Sequence, residues 1–221
     1  MRIPQGQSTA VGREFINLAP MVIGAILRSV TMGWRVAAQR AEVTPDADEV
    51  AITECLRDAM RNVLDGEDAS WGKTLLVLPG AESRSQPGMT APDGRTDIPV
   101  LSITVFSKVR EHDPHAIIEC KRVTEEDSYL LREYVKEGID RFTSGKYSAN
   151  HSHGFMVGYV LSGTCDGAVA GVNSYLGKQA RTAEHLMPMH GDEECDSWSS
   201  CHPRQSGSRQ IILYHAMVRV N

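Results

Sequence analysis

The sequence predicts an α/β fold: one domain holding a mixed sheet of about five strands with helices on both sides. Three observations predict it. Apolar residues recur at helical spacing in residues 49–64 and 124–144. Short runs with strand character stand at residues 71–80, 97–101, 115–123, 154–161 and 210–220, most of them bounded by Gly or Pro. A length of 221 residues with 41% apolar content suits one core of ordinary size rather than two.

At the N-terminus, residues 1–9 are polar and expected to be loose. In the N-terminal helical segment, residues 11–47, Phe15, Leu18, Val22, Ile26 and Val30 recur at spacings of three and four, with Pro20 and Gly33 as break points. It reads as a helix pair flanking the core, or as a dimer or partner helix. A turn from Thr44 to Asp48 supplies an N-cap for a helix over 49–64, whose apolar face carries Ile52, Leu56, Ala59, Met60 and Val63. Residues 71–80 read as an internal strand, because both faces are apolar, stopped by Pro79 and Gly80. A Ser-, Gly- and Pro-rich stretch, 81–92, includes Arg84; it is either a substrate-contacting loop or a surface connection. Strands at 97–101 and 115–123 are joined through Glu111, His112, Asp113 and Pro114, which predicts an antiparallel hairpin.

The helix over 124–144 buries Leu131, Tyr134, Val135, Ile139 and Phe142 and is capped by Gly145. His151 and His153 precede the buried strand 154–161 as loop residues or phosphate donors, and Gly154 and Gly158 predict close approach of another backbone. A helix over 168–181 closes the core, taken as residues 48–181. Residues 182–208 lack apolar periodicity and read as a flexible loop, and 209–221 add a final strand.

The chemistry concentrates in residues 115–123. Side chains alternate along a strand, so Ile117, Glu119 and Lys121 share one face while Ile118 and Cys120 share the other. Burying a charge is costly, so this pair is either a working site or a structural ion pair. The hairpin would bring Asp97 close to Glu119. Two carboxylates facing one another beside a Lys suit a hard cation such as Mg²⁺, which takes one or two carboxylates plus water and substrate phosphate. The Lys then offers positive charge to a phosphate or an attacking water.

Asp97, followed after the hairpin by Glu119-Cys120-Lys121, resembles the D…(D/E)-x-K signature of the PD-(D/E)XK nuclease superfamily, which includes many restriction enzymes. Residues 48–162 can be read as that superfamily's core of helix, three strands, helix and strand. The resemblance implies a restriction-endonuclease-like core in which Asp97 and Glu119 hold Mg²⁺, with Mn²⁺ as a substitute. It also implies that the Cys120 backbone carbonyl adds a ligand and that Lys121 assists the water. Asp93, in the turn Pro92-Asp93-Gly94, is the alternative to Asp97. The first core helix would add an acid: Glu49 shares a side with Leu56 and Met60, whereas Glu54 lies nearly opposite, though Glu49 also suits a helix N-terminus. Arg95, Arg132, Lys136, Arg141 and Lys146 are candidate phosphate contacts; the alternative is a solvated face of paired charges.

The implied activity is Mg²⁺-dependent endonucleolytic cleavage, of DNA in preference to RNA, as the effector or restriction subunit of a defence system. A homodimer or a larger complex would form through the N-terminal helices. A catalytically inactive nuclease-fold subunit is the alternative. A third reading is a zinc hydrolase built from Cys195, Cys201 and His202 with His185 or His190. The net charge of −5 argues against a protein that coats nucleic acid, so binding charge must be local or a partner's. Five cysteines without a CxxC pair, and no signal-peptide pattern, predict a reducing cytoplasm. The apolar run at 18–30 is interrupted by Pro20, Gly24 and Arg28, and no membrane span is expected. No P-loop, dinucleotide fingerprint or local Ser-His-Asp motif is present.

Overall fold

The computed structural model describes residues 15–66, 69–80, 82–83, 94–147, 150–189, 197–205 and 209–221. Its centre is three parallel strands: Ala116–Val123 (β5), His153–Val160 (β6) and Gln210–Arg219 (β9), with β6 between the other two. Every residue of β6 is buried, as a strand covered on both faces requires. Antiparallel strands extend the sheet on both sides. Leu75–Val77 (β1) and Ile98–Ser102 (β4) lie beyond β5; Met187–Pro188 (β7) and Ser197–Pro203 (β8) lie beyond β9. The order is β1-β4-β5-β6-β9-β8-β7. Glu82–Ser83 (β2) and Gly94–Arg95 (β3) form a separate ribbon.

Helices cover both faces. Pro20–Ala37 (α1) and Glu49–Asp65 (α2) pack on one; Ser128–Tyr134 (α4), a π-helical turn Val135–Ile139, Asp140–Thr143 (α5) and Cys165–Lys178 (α6) pack on the other. One core joins Ile26, Val30, Leu56 and Met60 to Ile118, Cys120, Tyr159 and Val218. The other joins Ile139, Phe142, Val172 and Leu176 to Ile117, Met156 and Leu213. Alternation along β5 thus sends Ile118 and Cys120 to one core and Ile117 to the other, as the sequence predicts.

The sheet departs from expectation in several places. It has seven strands, not about five. The strand predicted at 71–80 shrinks to β1, three residues on the sheet edge rather than inside it. β4 and β5 are antiparallel as predicted, but Ile103–Val109 (α3) intervenes, so the connection is not a hairpin loop. The segment 182–208 is no structureless loop: it holds a 3₁₀ turn, Thr182–Glu184, then β7 and β8. The inward residues of β8 include Ser200 and His202, so its burial pattern never registers as apolar alternation. Gly154 and Gly158 admit side chains, not backbone: a Cβ on the first would lie 2.6 Å from the Phe142 ring, and one on the second would collide with Met217 Sδ. His153 opens β6 and His151 bridges to Ile16, so neither belongs to a loose loop.

Neither break point interrupts α1. Pro20 stands at its start, where a missing N–H costs nothing. Gly33 lies where α1 meets α2: a Cβ would fall 2.7 Å from Met60 Cγ and 3.1 Å from its backbone nitrogen. No helix among the described residues is long and apolar enough to cross a membrane. Gly33→Val is expected to overpack this contact by about 1–3 kcal/mol and lower the thermal midpoint by several degrees. An unchanged midpoint in calorimetry would show that the helix pair yields without strain.

Candidate functional site

The site forms where β4 parts from β5. Their pairing runs from Val100↔Ala116 to Ile98↔Ile118, and one further step sets Asp97 against Glu119. Beyond that point β5 continues beside β6 but, among the described residues, has no strand on its β4 side. Backbone groups bared by such a parting need other partners. Asp97 Oδ2 accepts the Cys120 N–H at 2.8 Å and Glu49 Oε2 accepts the Arg122 N–H at 3.1 Å. The Cys120 carbonyl accepts from Lys121 Nζ at 2.9 Å. Carboxylates from the first turn of α2 and from the residue before β4 therefore stand in for a missing strand.

Around this edge the charges interlock. Glu119, fully buried, takes Lys121 Nζ at 3.1 Å and Arg141 Nη1 at 2.8 Å on the same oxygen, Oε1. Lys121 also reaches Glu49 Oε1 at 2.7 Å. Arg141 is braced by Glu137 Oε2 at 3.2 Å and by the Tyr147 hydroxyl at 2.9 Å; that hydroxyl donates onward to the Arg95 carbonyl at 3.0 Å. The second oxygen of Glu119, Oε2, is buried and has no hydrogen-bond partner.

Burial, reinforced by Asp97, pushes the Glu119 carboxyl up to about 7, against the pull of Lys121 and Arg141. Burial also raises Asp97, with Lys121 and the Cys120 N–H opposing. For Lys121 burial favours the neutral amine, yet Glu119, Glu49 and Asp97 together hold the ammonium above its ordinary range. The Cys120 thiol lies in the core on the opposite face, raised by burial, and only its backbone belongs to the site.

Among the described residues no three His, Cys, Asp or Glu side chains are arranged to hold a metal. The smaller set of Asp97, Glu119 and the Cys120 carbonyl does fit a hard cation. Its donors are all oxygen, and Glu119 Oε2 is a buried acceptor lacking a donor. Both Glu49 oxygens are engaged, by Lys121 and by the Arg122 N–H, so Glu49 serves as a clamp.

The other nominated residues divide. Arg141 enters the site. Arg132 pairs with its neighbour Glu133 at 2.6 Å and Lys136 with Asp140 at 3.1 Å, and neither is bonded to Glu119. Lys146 is half-buried one residue before Tyr147. Arg95 contributes its carbonyl to Tyr147, while its guanidinium stands 3.9 Å from Glu54. Glu54, the alternative to Glu49, pairs with Arg57 instead. Asp93, Arg84, Cys195 and His190 lie outside the described residues. Of the zinc candidates within them, Cys201 is exposed and donates to Gln210, whereas His202 is buried on the other face of β8, so the two do not converge.

Sequence reasoning gave no role to Tyr147 or Glu137, and it missed a second polar chain. Tyr134 Oη lies 2.9 Å from His215 Nδ1, His215 Nε2 lies 2.7 Å from Ser200 Oγ, and Ser200 Oγ lies 2.6 Å from His202 Nε2. His202 Nδ1 reaches Glu184 Oε2 at 2.5 Å, and Arg181 pairs with Glu184 at 2.6 Å. Donation in one direction, from Tyr134 towards Glu184, satisfies every link. No residue spacing announces this chain, because it joins separate elements.

Burial holds His215 well below the ordinary histidine range. Burial alone would raise Glu184, but His202 and Arg181 bring it down to about 2. Both groups thus have folded values below their unfolded ones, so their stabilisation is complete above about pH 6.5 and declines as pH falls. Glu119, raised when folded, works in the opposite sense. In a Glu119→Gln background the thermal midpoint is expected to fall steadily as pH drops from about 6.5 to 4.5; a flat profile would show His215 to be protonated in the fold. The chain matches no family model, no curated protein and no solved structure.

Proposed function

We propose that this chain is a metal-dependent nuclease of the PD-(D/E)XK type that hydrolyses phosphodiester bonds, with DNA as its substrate. The observation that carries the reading is Glu119: a fully buried carboxylate with one unpartnered oxygen, set by the strand register against a second, half-buried carboxylate, Asp97. Charge balance supports it. Once ionised, Asp97, Glu119, Glu49 and Glu137 carry two more charges than Lys121 and Arg141, their cations in this network among the described residues, a deficit that one divalent ion matches. With the β2–β3 ribbon and α3 set aside as insertions, the order α2, β1, β4, β5, α4–α5, β6 also follows the helix, three strands, helix, strand succession of that superfamily.

Asp97, Glu119 and the Cys120 carbonyl would hold Mg²⁺, which supplies Lewis-acid stabilisation of the reacting phosphate when bound. Lys121 stays an ammonium, so it orients the attacking water and donates to phosphoryl oxygen rather than taking a proton. Arg141, fixed by Glu137 and Tyr147, stabilises negative charge as it builds on the phosphoryl group. An adjoining cleft of about 410 Å³, lined by Glu49, Lys121, Arg122, Tyr129 and Arg141 among others, gives the substrate room.

One observation favours an inactive, nuclease-fold subunit instead: Lys121 and Arg141 both bond Glu119 Oε1, so the chain's own cations already pair with this carboxylate. Incubation with plasmid, linear DNA and RNA in Mg²⁺, Mn²⁺ or EDTA separates the two. Metal-dependent cleavage that drops about 100-fold or more in both Lys121→Ala and Glu119→Ala is the expected result. Mg²⁺ should also raise the thermal midpoint of the parent chain and not of Glu119→Ala. No cleavage together with no metal-induced stabilisation would favour the inactive subunit. Because Glu119 must shed a proton near pH 7 to hold metal, Mn²⁺ affinity measured by calorimetry should rise up to about tenfold per pH unit below 7 and level off above it. Affinity independent of pH would place the metal elsewhere.

A further inference from the structure

We propose that Arg57 and Arg95 form a second phosphate seat, which holds the phosphate next to the one cleaved; this rests on the nuclease reading above. A second cleft shares Glu49 with the larger one and is lined by Thr53, Glu54, Arg57, Arg95, Thr96 and Asp97 among others. It is a small cleft, of about 60 Å³, with room for a phosphate-sized anion. Arg57, unmarked by any pattern in the sequence, is 7% exposed, and its Nε is buried with no hydrogen-bond partner. A buried guanidinium with an idle donor beside a cleft calls for an anion.

Among the described residues, Glu54 is the carboxylate paired with both arginines: it bonds Arg57 and lies 3.9 Å from Arg95 Nη2. Of the other carboxylates in the cleft, Glu49 is bonded to Lys121 and Asp97 belongs to the proposed metal pair. One carboxylate is thus shared between two guanidinium groups, and Glu54 acts as a place-holder that a phosphate displaces. The loop is shaped for this arrangement. A Cβ on Gly80 would fall 2.8 Å from Arg95 Nε and 3.0 Å from the Thr96 carbonyl, so only glycine lets Arg95 lie there unshifted.

The test is binding of a fluorescein-labelled duplex oligonucleotide to the full chain in EDTA, read by anisotropy between about 50 and 200 mM salt, beside cleavage in Mg²⁺. Arg57→Gln and Arg95→Gln should each weaken binding about tenfold and reduce the salt slope by about one. Glu54→Gln should do the opposite and tighten it. Loss of a carboxylate elsewhere on the surface also favours a polyanion, so Glu54→Gln should tighten binding more than Glu126→Gln, at an exposed site away from the cleft, and that excess identifies the seat. Should Arg57→Gln fail to fold, the exposed Arg95 and Glu54 decide the matter. Unchanged affinity and slope in both of those variants would overturn the proposal even if the parent chain cleaves DNA. Opposed shifts without any cleavage would keep an anion seat and remove the nuclease.

Discussion

The parting of β4 from β5 is the constraint on which the site depends. A strand that loses its neighbour halfway along leaves N–H and C=O groups that must be satisfied, at a penalty of about 1–3 kcal/mol for each one buried without a partner. Here the replacements are charged: Asp97 on the Cys120 N–H and Glu49 on the Arg122 N–H. Charge-assisted bonds of this kind are the stronger sort, and their direction is set by the backbone. The carboxylates are therefore placed by the sheet rather than by side-chain packing, which is a rigid way to hold a site. Their charge then makes an ionised Lys121 favourable, and Lys121 in turn binds the buried Glu119.

The second constraint comes from the opposite helical layer. The π-helical turn lies between α4 and α5 and contains both Glu137 and Gly138. A turn of this kind closes its hydrogen bonds one residue later than an α-helix does, and so rotates the side chains beyond it about the helix axis. Gly138 permits that turn to lie against the site: a Cβ there would fall 2.5 Å from Met156 Cε and 3.5 Å from Lys121 Cγ. Just past the turn, Arg141 projects to Glu119 and back to Glu137. The aliphatic stem of Lys121 is thus confined from the helix side while its head is confined from the strand edge.

These two constraints explain what was legible in the sequence. Asp97, Glu119 and Lys121 could be brought together on paper because strand alternation and antiparallel pairing are short-range, period-two properties. Helical geometry points to Glu49 rather than Glu54, and Glu49 does stand at this edge, but as a clamp on Lys121 and the Arg122 N–H rather than in the metal-ligand role the resemblance implies. Arg141 stood in a row with Arg132 and Lys136, and nothing in the residue pattern told them apart. Which of the three faces the site depends on the π turn, and that turn is a product of tertiary packing. β8 was invisible for a different reason. Its buried Ser200 and His202 are satisfied by partners on β9 and the 3₁₀ turn, so a pattern of apolar residues has nothing to register.

Tyr147 connects the two clefts. Its hydroxyl accepts from Arg141, which faces the larger cleft, and donates to the carbonyl of Arg95, whose side chain lines the smaller one. Burial first, then Glu119, raise its pKa well above the ordinary phenol value, so the hydroxyl keeps the proton it donates. One atom thereby links the cation beside Glu119 to the backbone that carries the cation beside Glu54. Adjacent phosphates in a nucleic-acid strand have a separation limited by their covalent spacing. On the proposed reading, a protein that engages two of them would need its cations held relative to one another, and the buried Tyr147 hydroxyl joins the two segments that carry them. The same link means that a shift of the loop before β4 would be felt at Arg141, so substrate seated in the small cleft would help to set the geometry at the carboxylates.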